Sequence, residues 1–336
     1  MDKKSIRKIF NVLFSLCLGG GILWWMYREF DFSRVSHVIM EEMDWGMMMF
    51  SMVFGITAQL FRGLRWKLAL LPIGETTRNS TCIHAVFLSY AASLIIPRAG
   101  EFTRCGVLKK YDGVSFAKSI GTVLTERIID SLIIAFVVAA VLLCQLPTFM
   151  KFFATTGAWG HIKDFFAQFT ATGYWVTAIC LVITAIFLYL AAKKLSTIVA
   201  FRKVVKDVWT GIISVKKVSS KWLFMAYTIG IWVSYFLHFY ITFFCFDFTA
   251  NLAINVALVA FVAGTIAVVV PTPNGLGPWH FAVKTVFVLY AVQAVNAETF
   301  VLIVHTLQTA LIPILAIFSL VCLALRKKNT TTTENA

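Results

Sequence analysis

Charge is what this sequence has least of. Only 14% of its 336 residues are Asp, Glu, Lys or Arg, where soluble domains carry about 25%. A water-soluble globular composition is thereby excluded. Proline is also sparse, yet three of the seven crowd into one decapeptide, "PTPNGLGPWH" at 271–280. The seven cysteines stand singly, with no C-x-x-C pair, each in or beside an apolar segment. That pattern describes small hydrophobes and indicates neither a disulfide framework nor a metal site. G-x-S-x-G, Walker A and H-E-x-x-H are missing as well. The sequence therefore reads as a non-enzyme that requires no cofactor and no metal.

What is present is apolar. Hydrophobic residues make up 59% of the chain and aromatics 15%, with a mean hydropathy of +0.81. Several windows approach the ~20 residues an α-helix needs to cross a bilayer core. Each such window must satisfy its own backbone hydrogen bonds, so the fold class is an all-α polytopic membrane protein. Spans are expected near 9–27, 45–61, 128–146, 174–192, 222–244 and 299–325. Two further apolar regions, 82–96 and 253–292, are less regular.

The net charge of +14 lies between these segments rather than in a domain of its own. Lys and Arg so placed set topology and meet lipid headgroups, which argues for membrane lipids as partners and against nucleic acid. The N-terminus, 62–80, 98–127, 193–221 and the tail carry the bases, so those stretches and both termini are expected in the cytoplasm. The segment 193–221 reads as a basic amphipathic helix on the leaflet, and 326–336 as a polar tail. If 82–96 crossed the membrane, the basic stretch after it would lie outside. Read as a re-entrant hairpin, it removes that conflict, and 253–292 becomes a second hairpin entered from the other side. The result is six spans and two hairpins, with inverted-repeat halves at 9–146 and 174–325, a transporter pattern with its site near the midplane.

Candidate site residues follow from the breaks. Pro97, Pro271 and Pro273 end helices. Gly275 and Gly277, with Asn274 between the breakers, allow a tight turn and close backbone approach. Pro278 suits the first position of a restarted helix whose N-terminus attracts anions. The plain alternative is an exposed loop between two spans. His280 and Lys284 stack at i, i+4 on that helix. Lys284 either finds a cavity or partner or snorkels to the interface, and His280 is either a site residue or a satisfied core histidine. Arg98 and Glu101 at i, i+3 suggest a couple. Arg98 with Arg104 fits bidentate phosphate recognition, although Arg104 alone reads as a surface anchor. Glu126, Arg127 and Asp130 form a charge cluster whose expected partners are Arg98 or Arg104, more as a structural clamp than as a proton path. "FRGLRWKLAL" at 61–70, with Trp66, reads as a headgroup-level anchor.

Taken in order, "RGLRWKLAL", "IIPRAGEFTR…TVLTERIID" and "PTPNGLGPWH" resemble the lysylphosphatidylglycerol synthase transmembrane-region family, also called the flippase-like domain family. The resemblance covers nearly the whole chain. It implies a polytopic bacterial inner-membrane protein linked to movement of polar or glycosylated lipids between leaflets; the alternative is a non-transporting accessory protein that binds lipid or scaffolds an envelope-synthesis enzyme. It matches Pro97, Arg98, Gly100, Glu101 and Arg104, then Glu126, Arg127 and Asp130, then Pro271, Pro273, Gly275 and Gly277. Asn274 stands where Gly is common, and Trp279-His280 where many members carry an acid. The aminoacyl-transferase domain of fused members is not found in this sequence.

Overall fold

The computed structural model describes residues 17–28, 30–96, 99–145, 206, 209–210, 218–270 and 272–334. Every regular element among them is helical. The expected span 174–192 and most of 193–221 lie outside the described residues, as do residues 9–16 of the expected first span, Pro97, Arg98 and Pro271.

The chain enters through α1 (17–27) and a short α2 (Phe32–His37) capped by the Asp31 carboxylate on Ser33 N. Helix α3 (Trp45–Leu70) starts at a second Asp cap, Asp44 accepting from Met47 N at 3.0 Å. The sequence reading ended this span at 61. The helix runs nine residues further because Arg62 and Arg65 are buried and paired inside it rather than marking a membrane surface.

A first helical hairpin follows, α4 (Asn79–Ile95) and α5 (Ala99–Asp112). The break has a local cause: Ile96 is extended, φ −128° and ψ 113°, as the residue before a proline prefers. The arms then lie so close that a Cβ on Gly100 would sit 2.1 Å from Ser89 O. Only glycine fits there. Next, α6 (Phe116–Cys144) carries the acids Glu126 and Asp130.

Past the undescribed stretch, α7 (Lys221–Tyr240) runs antiparallel to α3 and ends in a 3-10 turn, Ile241–Cys245. Arg65 reaches Thr228 near one end of this pair, and Asp44 N donates to Cys245 O at the other. A single turn, α8 (Asp247–Ala250), leads into the second hairpin, α9 (Ile254–Ala267) and α10 (Pro278–Leu289). The last helix, α11 (Ala294–Glu334), extends the expected span 299–325 in both directions and takes in most of the polar tail. Among the described residues, three helical stretches, Trp45–Ile73, Lys221–Cys245 and Ala294–Leu325, are long and apolar enough to cross a membrane.

Two cores hold these elements together. One is aromatic: Phe243, Phe287 and Phe300 meet edge-on at 4.8–5.5 Å between α7, α10 and α11, the favoured geometry for ring quadrupoles. The other gathers Trp66, Leu70, Val86, Cys105 and Leu108 where α3 packs on the first hairpin. That second core surrounds the charged residues.

Candidate functional site

Five charged side chains converge where α3, α5 and α6 meet. Arg62 and Arg65 share one face of α3, Glu126 and Asp130 share one face of α6, and Arg104 comes from α5. Arg62 Nη2 donates to Asp130 Oδ2 at 3.0 Å. Arg65 Nη2 is shared between Glu126 Oε1 at 2.8 Å and Asp130 Oδ1 at 2.9 Å. Arg104 Nη1 donates to Glu126 Oε2 at 2.7 Å, and its guanidinium lies 4.8 Å from the centre of the Trp66 ring. All five side chains are at most 7% exposed. Charges this deep survive only in mutual contact, because one left alone would cost several kcal/mol to desolvate.

This geometry corrects three expectations. Trp66 is not an interfacial anchor: it is 1% exposed, and its indole N–H donates to Thr122 Oγ1. Arg62 and Arg65 do not face the surface but are the main partners of Glu126 and Asp130. Arg104 is not a surface anchor, since it closes over Glu126. The clue was the pairing of periods, arginines at i, i+3 on one helix against acids at i, i+4 on another, which matched faces can bring together. Glu101 accepts from Arg127 Nε at 2.8 Å on the more exposed rim, while its expected partner Arg98 lies outside the described residues. Tyr90 and Tyr235, which the sequence did not single out, share a 2.6 Å hydroxyl contact beside Arg62.

The tip of the second hairpin is neutral. Asn274 adopts a left-handed conformation, φ 51°, which Asn tolerates. Its side-chain N–H donates to Thr309 Oγ1 at 2.9 Å, and its carbonyl faces His305 Nε2 at 3.1 Å. His280 is 1% exposed, and its ring packs 4.4 Å from that of His305. Its Nδ1 accepts from Gly277 N at 3.4 Å. The N–H groups of Gly275 and Leu276 turn inward onto Thr272 O and Pro273 O. Gly277, φ 91°, faces α1: a Cβ there would lie 2.8 Å from Gly19 O. Asn274 and Gly277 thus serve close packing against α11 and α1. Lys284 meets a partner, Glu298 on α11.

The two tips lie at one level. His84 on α4 contacts Ser319 on α11 at 3.0 Å. Ile96 is about twelve residues, ~18 Å, further along α4, and the same rise back along the antiparallel α11 reaches Leu307. Leu307 sits between His305 and Thr309, the two residues that hold Asn274. The first hairpin also packs directly on the turn Pro273–Gly275.

Helices of membrane-spanning length around two helical hairpins and a buried charge cluster define a multi-pass helical membrane protein. The comparison with protein families makes this specific. The chain belongs to the lysylphosphatidylglycerol synthase TM region family, whose model matches residues 12–316. No curated protein and no solved structure matches it.

Proposed function

We propose that this protein moves a polar or glycosylated lipid between the leaflets of a bacterial inner membrane. The observation that supports this reading best is the meeting of two helical hairpins, entered from opposite ends of the bundle, at one depth. Interrupted helices that face each other mid-membrane are how transporters build a site that either side can reach. In this reading the hairpins are re-entrant, 9–27 and 174–192 complete six spans, and 9–146 and 174–325 are inverted halves. The end bearing Lys67, Asn79 and Asp112 faces the cytoplasm with both termini, as the basic loops require. The lipid partner keeps its tails in the bilayer while its headgroup passes the tips, with no covalent chemistry.

A second reading has one observation in its favour. The 274–277 turn satisfies its polar groups internally and packs on α1, as a static lipid-binding or scaffold protein would. Reconstitution separates the two. Proteoliposomes carrying head-labelled lipid are treated with a membrane-impermeant quencher. Transport exposes the inner-leaflet label to quenching, whereas protein-free vesicles protect it. Protection equal to that of empty vesicles, across phosphatidylglycerol and polyprenyl-linked lipids, rejects transport. Orientation is read with Lys110→Cys, an exposed position on α5, because the native Cys105 is fully buried. An impermeant thiol reagent added outside intact cells should miss it.

A further inference from the structure

The buried cluster does not balance. Arg62, Arg65 and Arg104 bring three positive charges, while Glu126 and Asp130 return two negative ones, and all three guanidiniums lie within 4 Å of Glu126. Among the described residues no third carboxylate reaches them. The hydrogen bonds tell the same story. Arg62 Nε, Arg65 Nε and Arg104 Nη2 are buried without a partner, although a buried donor left unmade costs about 1–3 kcal/mol, and more when charged. Beside Arg65, the one arginine of the three that reaches it, is a narrow cavity lined also by Trp66, Ala69, Thr122, Glu126 and Phe224. It has room for about one water-sized group, hence for one oxygen of an oxyanion rather than a whole headgroup.

We propose that a monoanionic oxyanion of the phosphate class completes this cluster, one oxygen entering beside Arg65 with that guanidinium as its donor and the excess positive charge of the cluster as its attraction. A neutral water could fill the space but would leave the excess charge; a singly charged phosphate ester meets both deficits, and planar guanidiniums are the donors best shaped for it. The chemistry is shared by a phospholipid headgroup and by free phosphate. The site rests on the lipid-moving reading only for the source of its anion; the binding itself is independent of transport.

The charge count makes the test two-sided. Arg104→Gln leaves two arginines against two acids, so the fold should persist while anion affinity falls by roughly tenfold or more, because the excess charge that attracts the anion is removed. Glu126→Gln raises the excess to two, so affinity should rise while the anion-free protein melts lower. Melting of the purified full chain in neutral detergent is followed against dioctanoyl-phosphatidylglycerol, dioctanoylglycerol and inorganic phosphate. A saturable upward shift with phosphatidylglycerol but not with dioctanoylglycerol supports the site and assigns it to a headgroup. A shift with inorganic phosphate that equals the lipid's supports the site with a free anion as its occupant. No saturable shift with either anion, or a shift unchanged in Arg104→Gln, overturns it. Transport failure is a separate result: anion binding without quenching of the inner leaflet rejects the lipid mover and leaves the site standing, while quenching without anion binding does the reverse.

Discussion

Both hairpins consist of an apolar helix, a break and a second helix, but opposite chemistry holds them in place. The returning arm of the first, α5, is tied to the rest of the bundle by Arg104 on Glu126 and by Arg127 on Glu101. The tip of the second is tied by Asn274 on Thr309, by His305 on the Asn274 carbonyl and by the fit of Gly277 against Gly19. Ion pairs in a dry interior are strong only while every member is present. Neutral hydrogen bonds and close packing fail in smaller steps. The first hairpin is therefore the place for charge chemistry, and the second for shape.

That contrast is broken most directly at Arg65. Arg65→Ala removes the guanidinium that both acids share and leaves Asp130 with Arg62 alone, so a loss of about 3–5 kcal/mol is expected. The counterpart in the second hairpin is Asn274→Gly, which keeps the left-handed backbone and deletes only the bond to Thr309, at about 1 kcal/mol. Melting temperatures of the two variants, purified in one detergent, decide the matter. Equal losses would mean that the cluster is no more demanding than the tip.

The different chemistries also decide what the sequence revealed. The second hairpin was legible because its cause is local: Pro273, Gly275, Gly277 and Pro278 impose the break wherever they stand. The first was legible only in part: 82–96, read as the re-entrant hairpin, is one unbroken arm, and the returning arm is the basic stretch Ala99–Asp112. The contact of the first hairpin with the turn Pro273–Gly275 was not legible from either segment alone. The cluster was half legible. Glu126 and Asp130 announced a buried pair, but their partners Arg62 and Arg65 lie some sixty residues upstream, in a stretch that reads equally well as a membrane-surface anchor. Burial separates these readings, and burial is a property of packing. Lys284 had its partner, Glu298, 14 residues on, beyond the reach of any helical spacing rule. Gly277 was read as allowing close backbone approach, and the backbone that approaches proves to be α1, which a glycine permits without naming.

A second pair of variants sharpens the comparison of shape. Gly100→Ala places a Cβ 2.1 Å from Ser89 O, and Gly277→Ala places one 2.8 Å from Gly19 O at a φ of 91°. Both obstacles are backbone, so neither can swing aside. Overpacking of this kind costs about 1–3 kcal/mol, sometimes more, and the strained φ adds about 1–3 kcal/mol at Gly277. The first variant should force the arms of one hairpin apart and expose Cys105 to thiol reagent in detergent. The second should loosen α1 and leave Cys105 protected. Labelling of Cys105 in both, or in neither, would show that the hairpins do not move independently.

The smallest effect lies at the base of the first hairpin, where its two ends are clasped. Asp112, at the end of α5, accepts from Thr77 Oγ1 at 2.7 Å, Arg78 N at 3.0 Å and Arg78 Nε at 2.9 Å. Burial pushes its carboxyl up, but the hydrogen bonds from Arg78 and Thr77 outweigh that and hold it below the ordinary carboxylate range. A carboxyl whose folded value is depressed stabilises the fold fully above its unfolded value, near 4, and loses that contribution as pH falls through the folded value. Wild type should therefore lose more stability than Asp112→Asn between about pH 5 and the depressed folded value, and the two curves should run parallel above and below that window. The difference should be modest, because Arg78 is 52% exposed and solvent screens its charge. No counterpart exists at the neutral tip, where Asn274→Gly should shift the melting temperature equally at every pH in that window. If Asp112→Asn merely shifts the curve without changing its acid slope, the clasp at the hairpin base is not ionic.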